Sequence, residues 1–334
     1  MTRYGLSLFI YRIFAVVTLS LTIFAAHAME ASAALPATVQ YHLDKDAFKS
    51  SVTLWYPDGA KYIAPPTTIE IGSNALFQGE KAVASQTVKA GLHPLVILLH
   101  GGLRSADNSG AWLSSALATK GFIVAEINPP RAMSPKDAVN FIWQRPQLAQ
   151  TVLTALLADN KWRKHIDSTK IHFVGFAFGA TTGLMLAGSA INRSAYQHLC
   201  DGNTAKKIDC QWFKSHQITL NEANQTKLLE SYLDKRIHSV VAIAPEYLGV
   251  LSAKANQTYL KALVITLGKK QITMTQPNST QLNIPQASLF DGFNRCKMSK
   301  KKIPALQKLC PDSMAQRMLI HQQIISAITQ FLSH

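Results

Sequence analysis

A strand–turn–helix pattern between Lys170 and Gly188 limits the folds open to this chain more than any other segment. The apolar residues 171–174 predict a buried strand, and residues 178–190 predict an apolar helix. Between them, a glycine lies on each side of a three-residue turn centred on Ala177. Glycines in these places allow a strand and a helix to approach each other closely. The pattern is typical of α/β proteins.

The turn has the spacing Gly175-Phe-Ala-Phe-Gly179. It matches the G-x-S-x-G elbow that presents a nucleophilic serine between a strand and a helix, except at its centre. Ala177 lies where the serine would be, and a methyl group cannot attack a carbonyl carbon. We call residues 175–179 the elbow. The elbow predicts a hydrolase-like scaffold and argues against serine chemistry.

Further apolar runs continue the alternation of strands and helices. Strands are predicted near residues 38–43, 51–57, 94–100, 122–127, 237–244 and 260–267, and helices near residues 111–120, 147–160 and 313–332. Arg145-Pro146 is expected to introduce the second of these helices, and residues 60–93 are expected to be irregular. Residues 269–288 are polar and predict no strand. This order predicts an α/β fold with a mostly parallel central sheet and helices on both faces.

The N-terminus resembles an export signal. Arg3 and Arg12 supply a basic start, residues 13–26 are apolar, and Ala26-His27-Ala28 fits a cleavage site. The prediction is a signal peptide at 1–28, an N-terminal extension at 29–50, and one domain at 51–334 that is periplasmic or secreted. Cleavage after Ala31-Ser32-Ala33 and an uncleaved anchor are the alternatives.

The four cysteines fit an exported protein. Their even number predicts the local disulfides Cys200–Cys210 and Cys296–Cys310. A metal site is the alternative, but the spacings lack the short forms that zinc prefers, so neither a metal nor a cofactor is predicted. The first pair falls in the polar residues 192–235, which we call the insertion. The insertion is expected to lie over the top of the sheet, with helix in its last third.

The net charge of +15 would suit an anionic surface as a partner. A basic exported protein without any charged partner is the alternative. The dense basic cluster comprises Lys297, Lys300, Lys301 and Lys302. Because no aromatic residues are interleaved with these lysines, nucleic-acid binding is not predicted.

Several motifs together resemble one protein family. They are Leu54-Trp-Tyr-Pro57, the run Pro94 to Gly102, Arg145-Pro146, Ile166-Asp167, the elbow, Leu186-Ala-Gly188, and Phe290-Asp-Gly-Phe293 with Cys296 and Cys310. With them the chain resembles the exported dienelactone-hydrolase-like branch of the α/β-hydrolases, which is related to platelet-activating factor acetylhydrolases. The resemblance extends from about Val52 to the C-terminus and implies an α/β-hydrolase fold.

The resemblance also implies hydrolysis of ester or lactone bonds by a Ser–Asp–His triad. Carried over position by position, the nucleophile falls on Ala177, the acid on Gln271 and the base on Leu289. None of the three side chains can perform its role, since alanine has no nucleophile, glutamine carries no charge and leucine moves no proton. Three losses together indicate a lineage that stopped using the chemistry.

The loop after the strand 94–100 contains His100-Gly101-Gly102. In a hydrolase this loop supplies a backbone N–H to the oxyanion hole, and the residue after the nucleophile, here Phe178, supplies another. Gly101, Gly102 and Phe178 are therefore the predicted oxyanion residues. A tight glycine turn without such a role is the alternative.

Two hypotheses of different classes follow. In the first, the protein is a pseudoenzyme whose old pocket binds an apolar or acyl ligand, or is filled in, and that pocket is lined by Gly102, Phe176, Ala177, Phe178 and Leu289. In the second, it is an active exported carboxylesterase or lactonase that uses a displaced triad. The residues that could form such a triad are Ser105, Ser109, His100, His321 and Glu246.

Overall fold

The computed structural model describes residues 35–43, 50–85, 87–103, 105–130, 134–253, 259–269, 278–297, 309–310 and 314–333. The strands are β1 (Ala37–Tyr41), β2 (Ser51–Tyr56), β3 (Thr68–Ile71), β4 (Glu80–Val83), β5 (His93–Leu99), β6 (Ile123–Asn128), β7 (Ile166–Phe176), β8 (Ala190–Ile191), β9 (Ser239–Ile243), β10 (Leu251–Ser252), β11 (Lys261–Leu267) and β12 (Ser279–Ile284). The α-helices are α1 (Ala111–Thr119), α2 (Pro135–Ala138), α3 (Phe141–Ala158), α4 (Phe178–Leu186), α5 (Arg193–Gln197), α6 (Ile208–Ser215), α7 (Gln225–Leu229) and α8 (Met314–Leu332).

Ten of these strands form one mixed sheet in the order β12-β11-β9-β7-β5-β6-β2-β1-β4-β3. The six strands from β12 to β6 run parallel to their neighbours. At the other end, β2 pairs antiparallel with both β6 and β1. The ends of β5, β7 and β9 therefore lie side by side at the carboxyl edge of the parallel block, where sheets of this kind bind ligands.

Helices cover both faces of the sheet, as the sequence predicted. Along β5, Leu95, Ile97 and Leu99 pack into the core beneath α3 and α4, while the alternate residues of the strand pack beneath α1 and α8. This alternation is the two-residue period of a strand that is buried on both faces. The parallel block is thus held rigidly between two helical layers.

Three strands of the ten-stranded sheet lie where the sequence predicted none. β3 and β4 pair with each other within residues 60–93, and β12 extends the sheet from within residues 269–288. The side chains of β3 and most of those of β12 are exposed or half-buried, so their apolar pattern is weak. Hydrogen bonding to a neighbouring strand, which leaves no mark in the sequence, makes these segments strands.

Two helix boundaries differ from those predicted. α3 begins at Phe141, so Pro146 lies inside the helix and does not introduce it. Phe141 and Ile142 are buried, and their packing offsets the backbone hydrogen bond that proline removes. α4 ends at Leu186 and not at residue 190, because Gly188 adopts a φ of 112° that breaks the helical path.

Short helices run through the whole insertion and are not confined to its last third. They are α5, α6 and α7, with 3₁₀ turns at Gly202–Lys206 and Leu220–Glu222. The Cys200–Cys210 disulfide joins the end of α5 to α6. Among the described residues, no helix combines the length and apolar character needed to cross a membrane.

Candidate functional site: the elbow at Ala177

The elbow has the strained backbone that its sequence predicts. β7 ends at Phe176, Ala177 adopts φ 56° and ψ −116°, and α4 begins at Phe178. An alanine with positive φ is strained, and such strain persists only where the surroundings enforce it. Here the Ala177 N–H donates to the Ile243 carbonyl at 2.9 Å, and the side chain is only 3% exposed. The centre of the elbow, where its sequence pattern would place a nucleophile, is thus formed and carries a methyl group.

The two elbow glycines are required by close contact. A Cβ at Gly175 would lie 2.2 Å from the Gly179 carbonyl oxygen. A Cβ at Gly179 would lie 1.9 Å from the Leu99 carbonyl oxygen. Neither distance permits a side chain, so only glycine lets α4 cross this close to β5 and β7.

The predicted oxyanion loop is engaged in its own hydrogen bonds. The Gly101 N–H donates to the Phe176 carbonyl at 3.1 Å, and the Gly102 N–H donates to Ser105 Oγ at 2.8 Å. Phe178 is the first residue of α4, and the N–H groups of a helix's first turn lack partners within the helix. Of the three predicted donors, the two in the loop already have acceptors in this structure.

Arg145 holds the loop from the other side and was missed as a site residue. Its Nη1 donates to the Gly101 carbonyl at 3.1 Å, and its Nη2 donates to the Gly102 carbonyl at 2.7 Å. The guanidinium also lies over the Phe178 ring at 4.6 Å. Burial lowers the pKa of Arg145 to about 10, so the side chain stays charged at neutral pH. An arginine among the apolar positions of a helix was the available sequence signal.

Aromatic rings fill the space behind the elbow. The Phe176 ring stacks on His100 with centroids 4.5 Å apart, and Phe293 packs edge-on against Phe176 at 5.6 Å. A Cβ at Gly292 would lie 2.0 Å from the Phe176 ring, so the chain passes directly against it. Phe176, which was predicted to line a pocket, is a buried core residue.

The structure describes Leu289, the predicted base position, but not Gln271, the predicted acid position. Leu289 begins the 3₁₀ turn Leu289–Gly292 and is 39% exposed. The backbone of this turn is set by a capping box between Ser288 and Asp291. Gln271 lies outside the described residues.

The residues proposed for a displaced triad are not assembled. His100 Nε2 contacts the Gly292 carbonyl at 2.7 Å, and His321 Nε2 contacts the Asp291 carbonyl at 2.8 Å. Ser109 Oγ donates to the Ala106 carbonyl at 2.6 Å. Within the ranges that the structure describes, no hydrogen bond joins Ser105 or Ser109 to either histidine or to Glu246.

Both histidines are buried in the aromatic core. His321 stacks on Trp112 of α1 with centroids 3.7 Å apart, so it lies at a contact between helices. Burial lowers the pKa of His100 and of His321 to about 4 in each case. Both imidazoles are therefore neutral at physiological pH and act as packing and hydrogen-bonding groups.

Glu246 is a half-buried carboxylate beside the elbow. It follows β9, and its N–H donates to the Ala177 carbonyl at 3.2 Å. Burial and the nearby Asp209 raise its pKa to about 7, although Arg145 and Lys207 act in the opposite direction. Its Oε2 is buried and has no hydrogen-bond partner among the described residues. A carboxylate in this state can accept a hydrogen bond from a bound group.

A narrow cleft separates the elbow from the insertion. Its walls include Leu103, Phe178, Phe213, Tyr247 and the Cys200–Cys210 disulfide. The free volume is about 10 Å³, which is room for about one water molecule. The cleft therefore leaves little free space in this conformation, and of the residues predicted to line a pocket it contains Phe178.

Both predicted disulfides are confirmed. Cys200 pairs with Cys210, and Cys296 pairs with Cys310. Arg317 of α8 supports the second bridge, since it is buried between Asp291, the Asn294 carbonyl and Cys296 Sγ. Of the predicted basic cluster, Lys297 is exposed and its three companions lie outside the described residues.

Comparison with known proteins adds one finding. No protein-family model matches the chain, and no curated protein matches it. Among solved structures, a ferulic acid esterase from Streptomyces cinnamoneus superposes with a TM-score of 0.53 at 14% sequence identity, over 90% of each chain. A likeness at this identity shows the fold alone. The chain has the α/β-hydrolase fold that its sequence predicted.

Proposed function

We propose that this α/β-hydrolase-fold protein descends from the exported dienelactone-hydrolase-like branch, has lost serine-hydrolase chemistry, and binds a small apolar or acyl ligand beside the elbow. The observation that carries the proposal is Ala177, which has the backbone of a nucleophile and no reactive atom. A triad without its serine retains only the contribution of the oxyanion hole and of binding, roughly 10³–10⁴-fold over water.

The loop geometry supports the loss of chemistry. Stabilisation of an oxyanion requires N–H donors aimed at the position where the charge develops. The Gly102 N–H donates instead to Ser105, and Arg145 holds both glycine carbonyls. An intramolecular acceptor competes with any substrate oxygen for this donor. Leu289 at the predicted base position also supports the proposed loss of chemistry, since a leucine side chain cannot transfer a proton.

Export is the second part of the proposal. The two disulfides indicate an oxidising environment such as the periplasm or the extracellular space. The predicted signal peptide at 1–28 is consistent with that environment. Export is tested by expressing the full chain in a bacterium and measuring the mass of the protein released from the periplasm. Cleavage after Ala28 gives a protein beginning at Met29.

The loss of catalysis is tested on the wild-type protein beginning at Met29. It is incubated with a fluorophosphonate probe and assayed with a short-chain nitrophenyl ester. We expect no labelled serine and no saturable turnover. Labelling or turnover by the wild type would refute the proposal, and the labelled residue would identify a displaced nucleophile.

A restored triad tests the residue placements. The variant Ala177→Ser, Gln271→Asp, Leu289→His is expected to label, because it returns each group to the position implied by the family resemblance. The matched control carries Ala180→Ser in place of Ala177→Ser, which puts the hydroxyl within α4 and not in the elbow. This control is expected to stay unlabelled. Equal labelling of both variants would contradict the assignment of Ala177 as the nucleophile's place.

A further inference from the structure

Turns rich in basic residues lie along the edge of the sheet at which the parallel strands begin, opposite the elbow. They are residues 57–63, 87–92, 119–122, 159–165, 167–170, 234–238 and 259–261, and we call them the amino face. These turns contain ten lysine and arginine residues and four acidic residues. Residues 192–233 of the insertion, by contrast, contain five basic and four acidic residues. The amino face therefore has an excess of positive charge that the insertion lacks.

An exposed lysine precedes or begins each of five neighbouring parallel strands. We call these the strand-start lysines, and they are Lys120 (β6), Lys89 (β5), Lys164 (β7), Lys235 (β9) and Lys261 (β11). Neighbouring strands of a sheet lie about 4.8 Å apart, so the five strand starts span about 19 Å along the edge. The strand-start lysines therefore belong to one continuous surface.

Buried His93 holds three of these turns together. Its backbone N–H donates to the His165 carbonyl at 2.7 Å. Its ring nitrogens contact the Lys89 carbonyl at 2.9 Å and the Gly121 carbonyl at 3.0 Å. The backbones of the turns before β5, β6 and β7 are thus joined, so this part of the amino face is formed before any partner binds.

The acidic residues of the amino face are engaged within their own turns. Asp234 pairs with Arg236 at 2.6 Å, and Asp167 pairs with Lys170 at 3.5 Å. The other two aspartates accept backbone N–H groups close by in the chain. None of the strand-start lysines forms an ion pair with another described residue. Their charge is therefore available to a partner outside the chain.

A favourable interaction with helix C-termini explains only part of this charge. Lys120 directly follows α1, where a cation stabilises the helix dipole. Lys89 lies between two strands, and Lys235 lies six residues beyond the end of α7. Because the effect of the dipole fades within one helical turn, it does not account for these two lysines.

Exposed aliphatic side chains belong to the same face. Ile63 is fully exposed and Leu92 is 65% exposed. Their two loops lie side by side, because the Lys89 N–H donates to the Pro57 carbonyl at 2.9 Å. Binding to a bilayer surface draws on buried apolar area and on the attraction of cations to anionic lipids. The amino face offers both contributions.

We propose that the amino face binds the surface of an anionic phospholipid bilayer. Its lysines and arginines lie at the phosphate groups, and Ile63 and Leu92 enter the layer beneath them. Nucleic acid fits this face less well, because unpaired bases stack on exposed aromatic rings and these two side chains are aliphatic. The elbow lies at the opposite edge of the sheet and faces away from the bilayer. Membrane binding is therefore independent of the function proposed for the elbow.

Binding is measured by sedimentation of the protein beginning at Met29 with lipid vesicles. Vesicles of phosphatidylcholine alone are compared with vesicles in which one lipid in three is phosphatidylglycerol. We expect binding to the anionic vesicles to be at least about tenfold tighter at ~0.1 M salt. It should weaken at least about tenfold at ~1 M salt, where the Debye length falls from about 10 Å to about 3 Å. Equal binding to both kinds of vesicle, or no binding to the anionic ones at the lower salt, would overturn the proposal.

A triple variant tests the contribution of the charges. Lys120→Gln, Arg163→Gln, Lys164→Gln removes three exposed charges from the amino face. Since a basic residue near an anionic surface contributes about fivefold in affinity, we expect the variant to bind anionic vesicles about a hundredfold more weakly than wild type. Unchanged binding would contradict the proposed surface.

The matched control removes the same net charge elsewhere. Lys136, Lys214 and Lys269 are exposed, and they lie after β6, in the insertion and after β11. We expect Lys136→Gln, Lys214→Gln, Lys269→Gln to bind within about threefold of wild type, because charges beyond a Debye length from the lipid are screened. Equal weakening by both triple variants would show that net charge and not the amino face determines binding.

Serine variants test the aliphatic side chains. Ile63→Ser with Leu92→Ser is expected to weaken binding to anionic vesicles by about tenfold or more, since the buried apolar area is lost. Met318→Ser with Leu319→Ser is the matched control, because both residues are exposed on α8, which follows the carboxyl end of β12. This control is expected to bind as wild type does. Equal effects of the two double variants would rule out insertion of Ile63 and Leu92.

A tryptophan reporter tests the contact directly. The fluorescence of Leu92→Trp is expected to shift to shorter wavelength, relative to wild type, when anionic vesicles are added, because the indole leaves water. Leu319→Trp is the control and is expected to show no such shift. Binding of heparin or duplex DNA without any binding of anionic vesicles would overturn the assignment of a lipid partner.

Discussion

At the scale of one residue, Ala177 combines a strained backbone with an unreactive side chain. The positive φ of this residue is set by Gly175, Gly179 and the hydrogen bond to Ile243, none of which involves a serine hydroxyl. The strained turn therefore forms without a hydroxyl group at its centre. Its strain is a cost to stability.

That cost is measurable by comparing two alanine-to-glycine variants. Ala177 and Ala180 are both buried, so each variant removes a buried methyl group and adds freedom to the unfolded chain. Only Ala177→Gly relieves a positive φ, whereas Ala180→Gly lies within α4. We expect Ala177→Gly to be more stable than Ala180→Gly by about 1–3 kcal/mol in urea unfolding. Equal stability would show that the elbow is unstrained.

His321 links burial to a pH dependence. Its pKa is lowered to about 4 by burial, below the ordinary value of 6.5, so the unfolded chain takes up the proton first as the pH falls. The contribution to stability is therefore complete above pH 6.5 and is lost as the pH falls towards 4. His321→Phe keeps the stacking on Trp112 and removes the titration.

We expect the stability of His321→Phe relative to wild type to rise, on lowering the pH from 7 to 4, by on the order of 3 kcal/mol. The measurement is urea unfolding at a series of pH values. Glu126 and Glu246 have pKa values raised to about 7 by burial, which gives the opposite slope between pH 4.5 and 7. Because both acids are present in each protein, their effect cancels in the difference. A constant difference across this range would contradict a buried, neutral His321.

At the scale of elements, hydrogen bonding and cross-links decide what side-chain pattern does not. β12 pairs along its whole length with β11, although most of its side chains are only partly buried. The insertion consists of short helical segments, which bury apolar side chains such as Tyr196, Phe213 and Leu228. The disulfides restrict these segments in the unfolded chain and so favour their ordered state.

The two disulfides are expected to contribute similarly. They join residues 10 and 14 positions apart, and loops of this length correspond to about 3 kcal/mol in the chain-entropy model. Cys200→Ala with Cys210→Ala, and Cys296→Ala with Cys310→Ala, should each lower the free energy of unfolding by about that amount. Guanidinium unfolding of each double variant under non-reducing conditions checks this.

The control is the wild type unfolded in the presence of a reductant. Its free energy of unfolding should match that of a variant in which all four cysteines are replaced by alanine. A loss well below 1 kcal/mol for the first pair would indicate that the insertion is ordered by its apolar contacts, such as those of Phe213 and Leu220, and not by the bridge.

At the scale of the whole molecule, the sheet places the site. The ends of β5, β7 and β9 carry His100, Ala177 and Glu246, which are far apart in sequence and adjacent in space because their strands are neighbours. The insertion then covers this edge and contributes Lys207 and Asp209. A site at this edge is what an α/β sheet offers, whether or not catalysis occurs there.

The sequence by itself determined the α/β fold, the elbow and the cysteine pairing. Each rests on local physics: apolar runs that form buried strands, glycines that permit a close crossing, and cysteines near enough to pair. These signals lie within short segments, so they can be read without the fold. The alanine at the centre of the elbow is a local feature in the same sense.

Only the tertiary structure decided which polar groups meet. Arg145 lies within α3, Asp209 within the insertion and Glu246 after β9, and nothing in their spacing predicts a shared cluster. The hydrogen bond from the Gly102 N–H to Ser105 and the stacking of Phe176 on His100 likewise depend on packing. Burial and contact between distant segments determine charge, pKa and free space, and these properties arise only when the sheet brings the segments together.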